Sequence, residues 1–149
     1  MTGTPVVMSK TNSDPTGGPG IAADIETRCS LGCHCTPIVT SLSVTDTISR
    51  LDTEMADTGL LIEQIRGILE DINVNLINIG NAISVTNIEA IHTILQDYPS
   101  IPVVLHPHSG ATEEFQSLKN AVCELLVLSI IHISEPTRPR RISYTVSLL

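Results

Sequence analysis

Short continuous apolar runs alternate along the chain with apolar stripes at helical spacing, and the whole reads as β-α-β-α-β-α-β-α. The first run, Pro5 to Met8, predicts a strand. It leads into SDPTGGPGIAAD, Ser13 to Asp24, where three glycines and two prolines prescribe a tight loop entering a helix. Gly17, Gly18 and Gly20 can take positive φ and admit a ligand close to the backbone, and Pro19 suits a first helical turn. From Gly20 to Leu31, Ile21, Ile25 and Leu31 stand among Ala22, Ala23 and Cys29 as an apolar stripe that Gly32 stops. Thr36 to Val44 is rich in β-branched residues and predicts the second strand. Asp57 or Thr58 caps a helix running to about Ile72, with Leu61, Ile65, Ile68 and Leu69 inward and Glu63, Gln64, Arg66 and Glu70 outward. Leu76 to Ile79 predicts a short strand. Ser84 caps a helix carrying Ile88, Ile91, Ile94 and Leu95 that ends before Tyr98 to Pro102. Val103 to Leu105 predicts a buried strand, Thr112 to Leu126 a helix, and Met1 to Thr4 a frayed end.

This order predicts an α/β fold of three layers around a mainly parallel sheet with right-handed crossovers. One Phe, two Tyr and no Trp leave the core to Ile, Leu, Val and Ala, which suits strands buried on both faces. The formal net charge of −8 argues against nucleic acid, whose binding needs clustered cations. No apolar run is long enough for a membrane span and no basic-then-apolar leader opens the chain, so the expectation is a cytoplasmic protein. Cys29, Cys33 and Cys35 flank His34 without the second pair that a zinc site requires, and they read as reduced, buried thiols. Cys123 reads as a core residue. His106 and His108 lack a third ligand and read as loop histidines, so no metal site is expected. No Lys-Ser/Thr pair follows GGPG, which separates it from a Walker loop. In parallel sheets ligands gather at the carboxyl ends of strands, and the glycine loop, Val44 to Thr47, Gly80 with Asn81, and His106 each follow a predicted strand.

Five blocks in order, SDPTGGPGIAAD (Ser13 to Asp24), SLGCHC (Ser30 to Cys35), PIVTSLSVTDT (Pro37 to Thr47), LLIEQIRGILEDINVNLINIG (Leu60 to Gly80) and IPVVLHP (Ile101 to Pro107), carry a family resemblance. Across residues 5 to 126 the chain resembles the hydroxymethylpyrimidine/phosphomethylpyrimidine kinases of thiamine biosynthesis, in the ribokinase-like superfamily. The resemblance implies a cleft for the aminopyrimidine ring, its hydroxymethyl group aimed at the γ-phosphate of ATP, with ATP and Mg²⁺ as the family's cofactors and a homodimer as its assembly. It implies substrate contacts from Asn12, Gly18, Asp24, Val44, Thr45 and Asn81, Asp24 accepting hydrogen bonds from amino or hydroxyl donors. It assigns no catalytic residue here, because the family chain is about twice as long and its anion hole, base and nucleotide site fall in the other half. Within the family pattern, Thr45 replaces a glutamine that pairs with the pyrimidine, Asn12 a glycine, Asn78 a lysine, Asn81 an apolar residue and His106 an aspartate. The departures at Thr45, Asn81 and His106 open one alternative, a non-catalytic small-molecule binder; a pyridoxal kinase-like fragment, from a relative of similar architecture, is the other.

The end of the chain is expected to be foreign. LSIIHISEPTR, Leu128 to Arg138, followed three residues later by ISYTV, Ile142 to Val146, resembles the translation of a transposase-type sequencing-library adapter. Residues 5 to 127 then form the partial kinase-like domain and 128 to 149 a non-native tail. That tail holds three arginines against one glutamate, so the remainder carries −10. Sequencing the source locus tests this: genomic codons should depart from LSIIHISEPTR near Leu128, and the same codons in the genome would overturn the reading.

Overall fold

The computed structural model describes residues 3–46, 48, 50–80, 84–105 and 130–133. Its elements are β1 (Val6–Ser13), α1 (Ile21–Ser30), β2 (His34–Thr45), β3 (Arg50–Met55), α2 (Thr58–Asp71), β4 (Leu76–Ile79), α3 (Val85–Gln96), β5 (Val103–Leu105) and β6 (Ile130–Ile133). The strands form one sheet in the order β3-β2-β1-β4-β5-β6, parallel throughout except for the β2–β3 pair. The fold is therefore α/β with a mainly parallel sheet, as the alternation of patterns requires. The expected helix at 112–126, with Cys123, lies outside the described residues. So do His106 and His108.

The core lies on one face of the sheet. Met8, Ile38, Ile77, Ile79, Val103 and Leu105 from four strands meet Leu61, Ile65 and Leu69 of α2 and Ile88, Ile91, Ile94 and Leu95 of α3. Both helices begin where the sequence placed their caps: Asp57 accepts from the Leu60 amide at 2.9 Å, and Ser84 from the Asn87 amide at 3.1 Å. Ile68, expected inward, is only partly buried against this core. Among the described residues the opposite face carries α1, which buries little of its own apolar surface. Ile21 is its sole buried residue, Ile25 is half-buried, and Leu31, expected in the stripe, is 73% exposed because the helix stops at Ser30 and leaves Leu31 as its C-cap.

Two strands differ from expectation. β1 continues five residues beyond Met8, because Ser9, Lys10, Thr11 and Asn12 are polar yet buried in mid-sheet, where parallel pairing with β2 and β4 holds the backbone. β3 was not predicted at all. It is a sheet-edge strand whose Leu51 is 66% exposed, so its apolar residues are too few and too open to make a core pattern. Ile130–Ile133, assigned from sequence to the foreign tail, pairs in parallel with β5. A β-branched run has the propensity to add to an open sheet edge whatever its origin.

Lys10 is the exception within this architecture. Its side chain shares a face of β1 with Met8, its register partners are Ile38 and Ile79, and it is fully buried with no acceptor for Nζ among the described residues. Burial alone lowers its pKa from 10.5 to about 7. The unfolded chain therefore binds a proton that the native state does not between about pH 7 and 10.5, and stability rises with pH across that window. Lys10→Met, which keeps the volume and removes the amine, should raise unfolding free energy by about 4 kcal/mol at pH 7 and by only about 1 kcal/mol at pH 10. Urea unfolding at both values tests this, and a gain independent of pH would refute it.

Candidate functional site at the carboxyl ends of β1, β2 and β4

From β1 the chain passes to β2 on one side, whereas β4 and β5 lie on the other, so the switch point of the sheet falls between β1 and β4. The crevice outside those strand ends is where open α/β sheets bind ligands. β4 stops opposite Lys10, while β1 runs three residues further. Gly80, just past β4, donates its amide to the Lys10 carbonyl at 2.8 Å, and a Cβ there would lie 2.6 Å from Thr11 Oγ1. Any larger residue would push the two strand ends apart.

The glycine loop folds back over the end of β1. Gly20, the N-cap of α1, has φ 146°, and a Cβ on it would meet the Asn12 carbonyl oxygen at 2.6 Å, so only glycine fits. Gly17 also has positive φ, but Gly18 does not, and helix α1 begins at Ile21 so that Pro19 precedes it rather than opening it. The loop's polar groups are largely satisfied within it. Thr16 donates its amide and hydroxyl to Asp14 Oδ1 at 2.9 and 2.7 Å, Gly17 its amide to the Asp14 carbonyl at 3.2 Å, and Gly18 its amide to Thr16 Oγ1 at 3.3 Å. With those amides engaged, Gly17 and Gly18 do not form a phosphate cradle of the Walker kind. The described residues thus do not fit the phosphates of ATP by that route.

Asp24 is used inside the protein. Its Oδ2 accepts from the Ser9 hydroxyl of β1 and from Asn78 Nδ2 of β4 at 3.1 Å, while Oδ1 accepts from Arg28 Nη1 at 2.8 Å. Asn78 Nδ2 also donates to Ser9 Oγ at 3.2 Å. This network, where α1 lacks apolar surface, fastens the helix across two strands. Since side chains alternate along a strand, Ser9 and Asp24 lie on the opposite face from Asn12.

Asn12 is buried, accepts from Thr11 Oγ1 at 3.2 Å and donates to Ser43 Oγ at 3.5 Å. It faces β2, where Ser41, Ser43 and Thr45 share a side by alternation. Thr45 is half-buried with Oγ1 unpartnered among the described residues, and Ser41 Oγ is unpartnered too. Val44 points to the other side and is 55% exposed. Of the residues expected from sequence, then, Asn12 and Thr45 belong to one face of adjacent strand ends, Gly18 to the loop above, Asp24 to the other face, and Asn81 falls outside the described residues. Lys10, Ser41 and Ser43 went unnoticed in the sequence, although a lysine inside a strand-forming run was the available signal.

Of the cysteines expected to be buried, only Cys35 is, and burial raises its thiol pKa; Cys33 is half-buried and Cys29 exposed, all three free. Among the described residues no His, Cys, Asp and Glu group could hold a metal ion, and no helix is long and apolar enough to cross a membrane.

Solved structures show the fold: a pyridoxal kinase from Bacillus subtilis, in an ADP complex, superposes with a TM-score of 0.79 at 23% identity over 87% of this chain and 51% of its own. The fold is α/β and ribokinase-like. Residues 14–138 match the phosphomethylpyrimidine kinase family, and the chain belongs to it. It is 29% identical over 133 residues to the thiamine biosynthesis multifunctional protein ThiED of Corynebacterium glutamicum, covering 89% of this chain and 17% of that protein. It is 25% identical over 131 residues to a hydroxymethylpyrimidine/phosphomethylpyrimidine kinase of Streptomyces coelicolor, covering 85% of this chain and 49% of the relative. The chain thus spans about half of that kinase.

Removing the Asp24 carboxylate should loosen α1. Asp24→Ala leaves Ser9 and Arg28 without their carboxylate partner, and urea unfolding should show a loss of about 2–3 kcal/mol. A loss under about 0.5 kcal/mol, the range of an ordinary surface substitution, would show that the latch is dispensable.

Proposed function

We propose that this chain carries the substrate-binding part of an ATP-dependent kinase that phosphorylates 4-amino-5-hydroxymethyl-2-methylpyrimidine and its monophosphate in thiamine biosynthesis. The observation that carries the reading is the SDPTGGPG loop, which crosses the end of β1 beside the sheet's switch point in a chain of the phosphomethylpyrimidine kinase family. On this reading the ring lies against the ends of β1, β2 and β4, with Asn12, Thr45 and Asn81 offering polar contacts, Gly18 bounding the pocket, and Val44 reaching it through its backbone alone. Asp24 serves it by holding α1, and with it the return of the glycine loop, against β1 and β4.

Phosphoryl transfer works by positioning and by neutralising developing charge. The residues that bind ATP and Mg²⁺ and supply that neutralisation belong, on this reading, to the part of the relatives that this chain does not cover. The 149 residues therefore bind the ring but do not turn it over. The reading extends to a cytoplasmic homodimer, in which the exposed Leu42, Val44, Ile48 and Leu51 around β2 and β3 supply apolar surface to be covered. Thr45 favours a second reading, a binder of another heterocycle such as a pyridine, because one hydroxyl cannot reproduce the paired contacts of an amide.

Calorimetric titration and an assay with ATP and Mg²⁺ test both halves of the proposal. The expected result is heat of binding with the hydroxymethylpyrimidine and no phosphorylated product. Absence of binding would remove the pyrimidine site, tighter binding of pyridoxal would favour the second reading, and catalytic turnover would refute the division of labour.

A further inference from the structure

Three of the buried polar atoms without a partner among the described residues, Lys10 Nζ, Ser41 Oγ and Thr45 Oγ1, fall on one face of two neighbouring strands. Asn12 and Ser43 lie between them on that face, joined by a 3.5 Å hydrogen bond. Below this tract the same face is apolar, with Met8 and Ile38 in the core, and above it the strands end at the crevice. Polarity therefore rises toward the ligand end. Once protonated, the Lys10 amine together with the Ser41 hydroxyl and the Asn12 amide N–H₂ can donate to an anionic oxygen.

We propose that Lys10, Asn12 and Ser41, at successive register positions on one face of β1 and β2, form a latent anion subsite, and that an anionic group bound there draws a proton onto the Lys10 amine. The ligand class is a compound bearing a phosphate or carboxylate, so the subsite favours the phosphorylated form of a substrate over its neutral alcohol; this rests on the functional reading above. Its register partners on both sides are apolar and Nζ has no partner among the described residues, so burial disfavours the charged form. An anion supplies the missing charge. The free protein holds Lys10 as the neutral amine above about pH 7, binding adds one proton to Nζ, and no covalent bond changes.

The test is titration of the full chain with inorganic phosphate at pH 8, in two buffers of different ionisation enthalpy. Net uptake of well over half a proton per phosphate bound is expected, because the amine is about nine-tenths neutral one pH unit above its pKa and phosphate gives up only a small fraction of a proton on binding as the dianion. Lys10→Met should abolish the uptake and weaken phosphate binding at least tenfold. Ser41→Ala should weaken phosphate binding while leaving proton uptake in place, which covers any disturbance of the fold by the first variant. Phosphate binding without uptake, equal binding by Lys10→Met, or no binding at millimolar phosphate overturns the proposal. A separate titration with the neutral hydroxymethylpyrimidine keeps the two readings apart: its failure beside intact phosphate-linked uptake removes the pyrimidine site and leaves the anion subsite standing.

Discussion

Strand β1 sits in the middle of the sheet with no surface to spare, and that constraint governs the molecule. From Val7 to Asn12 every residue is buried, so each side chain must be accommodated by packing, by a hydrogen bond or by a shift in protonation. Met8 solves the problem by joining the apolar core. Ser9 solves it through Asp24 and Asn78, which makes a polar latch out of what would otherwise be a gap between α1 and the sheet. Lys10 has no such solution within the described residues, and its amine is driven toward neutrality instead.

The two faces of the sheet consequently obey different rules. Toward α2 and α3, isoleucine and leucine fill the space between sheet and helices, and the caps at Asp57 and Ser84 fix where each helix starts. Toward α1, little apolar surface is buried, and a charged network carries the contact. The glycine loop links both halves of this arrangement, because its return at Gly20 presses on the Asn12 carbonyl while the helix it opens is anchored at Asp24. Loop geometry and helix anchoring are thus one structural unit, and the crevice inherits its shape from both.

The same economy explains the candidate site. Among the described residues two hydroxyls and one amine near the ends of β1 and β2 find no internal partner, and such buried groups cost stability. A site that accepts instability in return for binding is a familiar trade in small-molecule enzymes. Those polar groups lie beside the sheet's switch point in a chain of the phosphomethylpyrimidine kinase family, where the proposed site would make use of them.

Much of the architecture was legible in the chain because it rests on local rules. Periodicity marked α2, α3, β4 and β5, cap residues marked the helix starts, and ordered motifs from Ser13 to Pro107 marked the family. What stayed hidden depended on neighbours distant in sequence. The polar half of β1 looked like loop until β2 and β4 enclosed it, β3 carried too little apolar pattern to announce an edge strand, and Leu31 lost its place in the stripe when α1 ended one residue earlier. Asp24 could be singled out as an acid after the glycine loop, but that its oxygens would turn to Ser9 and Asn78 was settled by residues 15 and 54 positions away. Sequence determined which segments become helix or strand, since that choice is made over a few residues; only the assembled sheet decided which polar side chains would be sealed from water, because burial is a property of the whole fold.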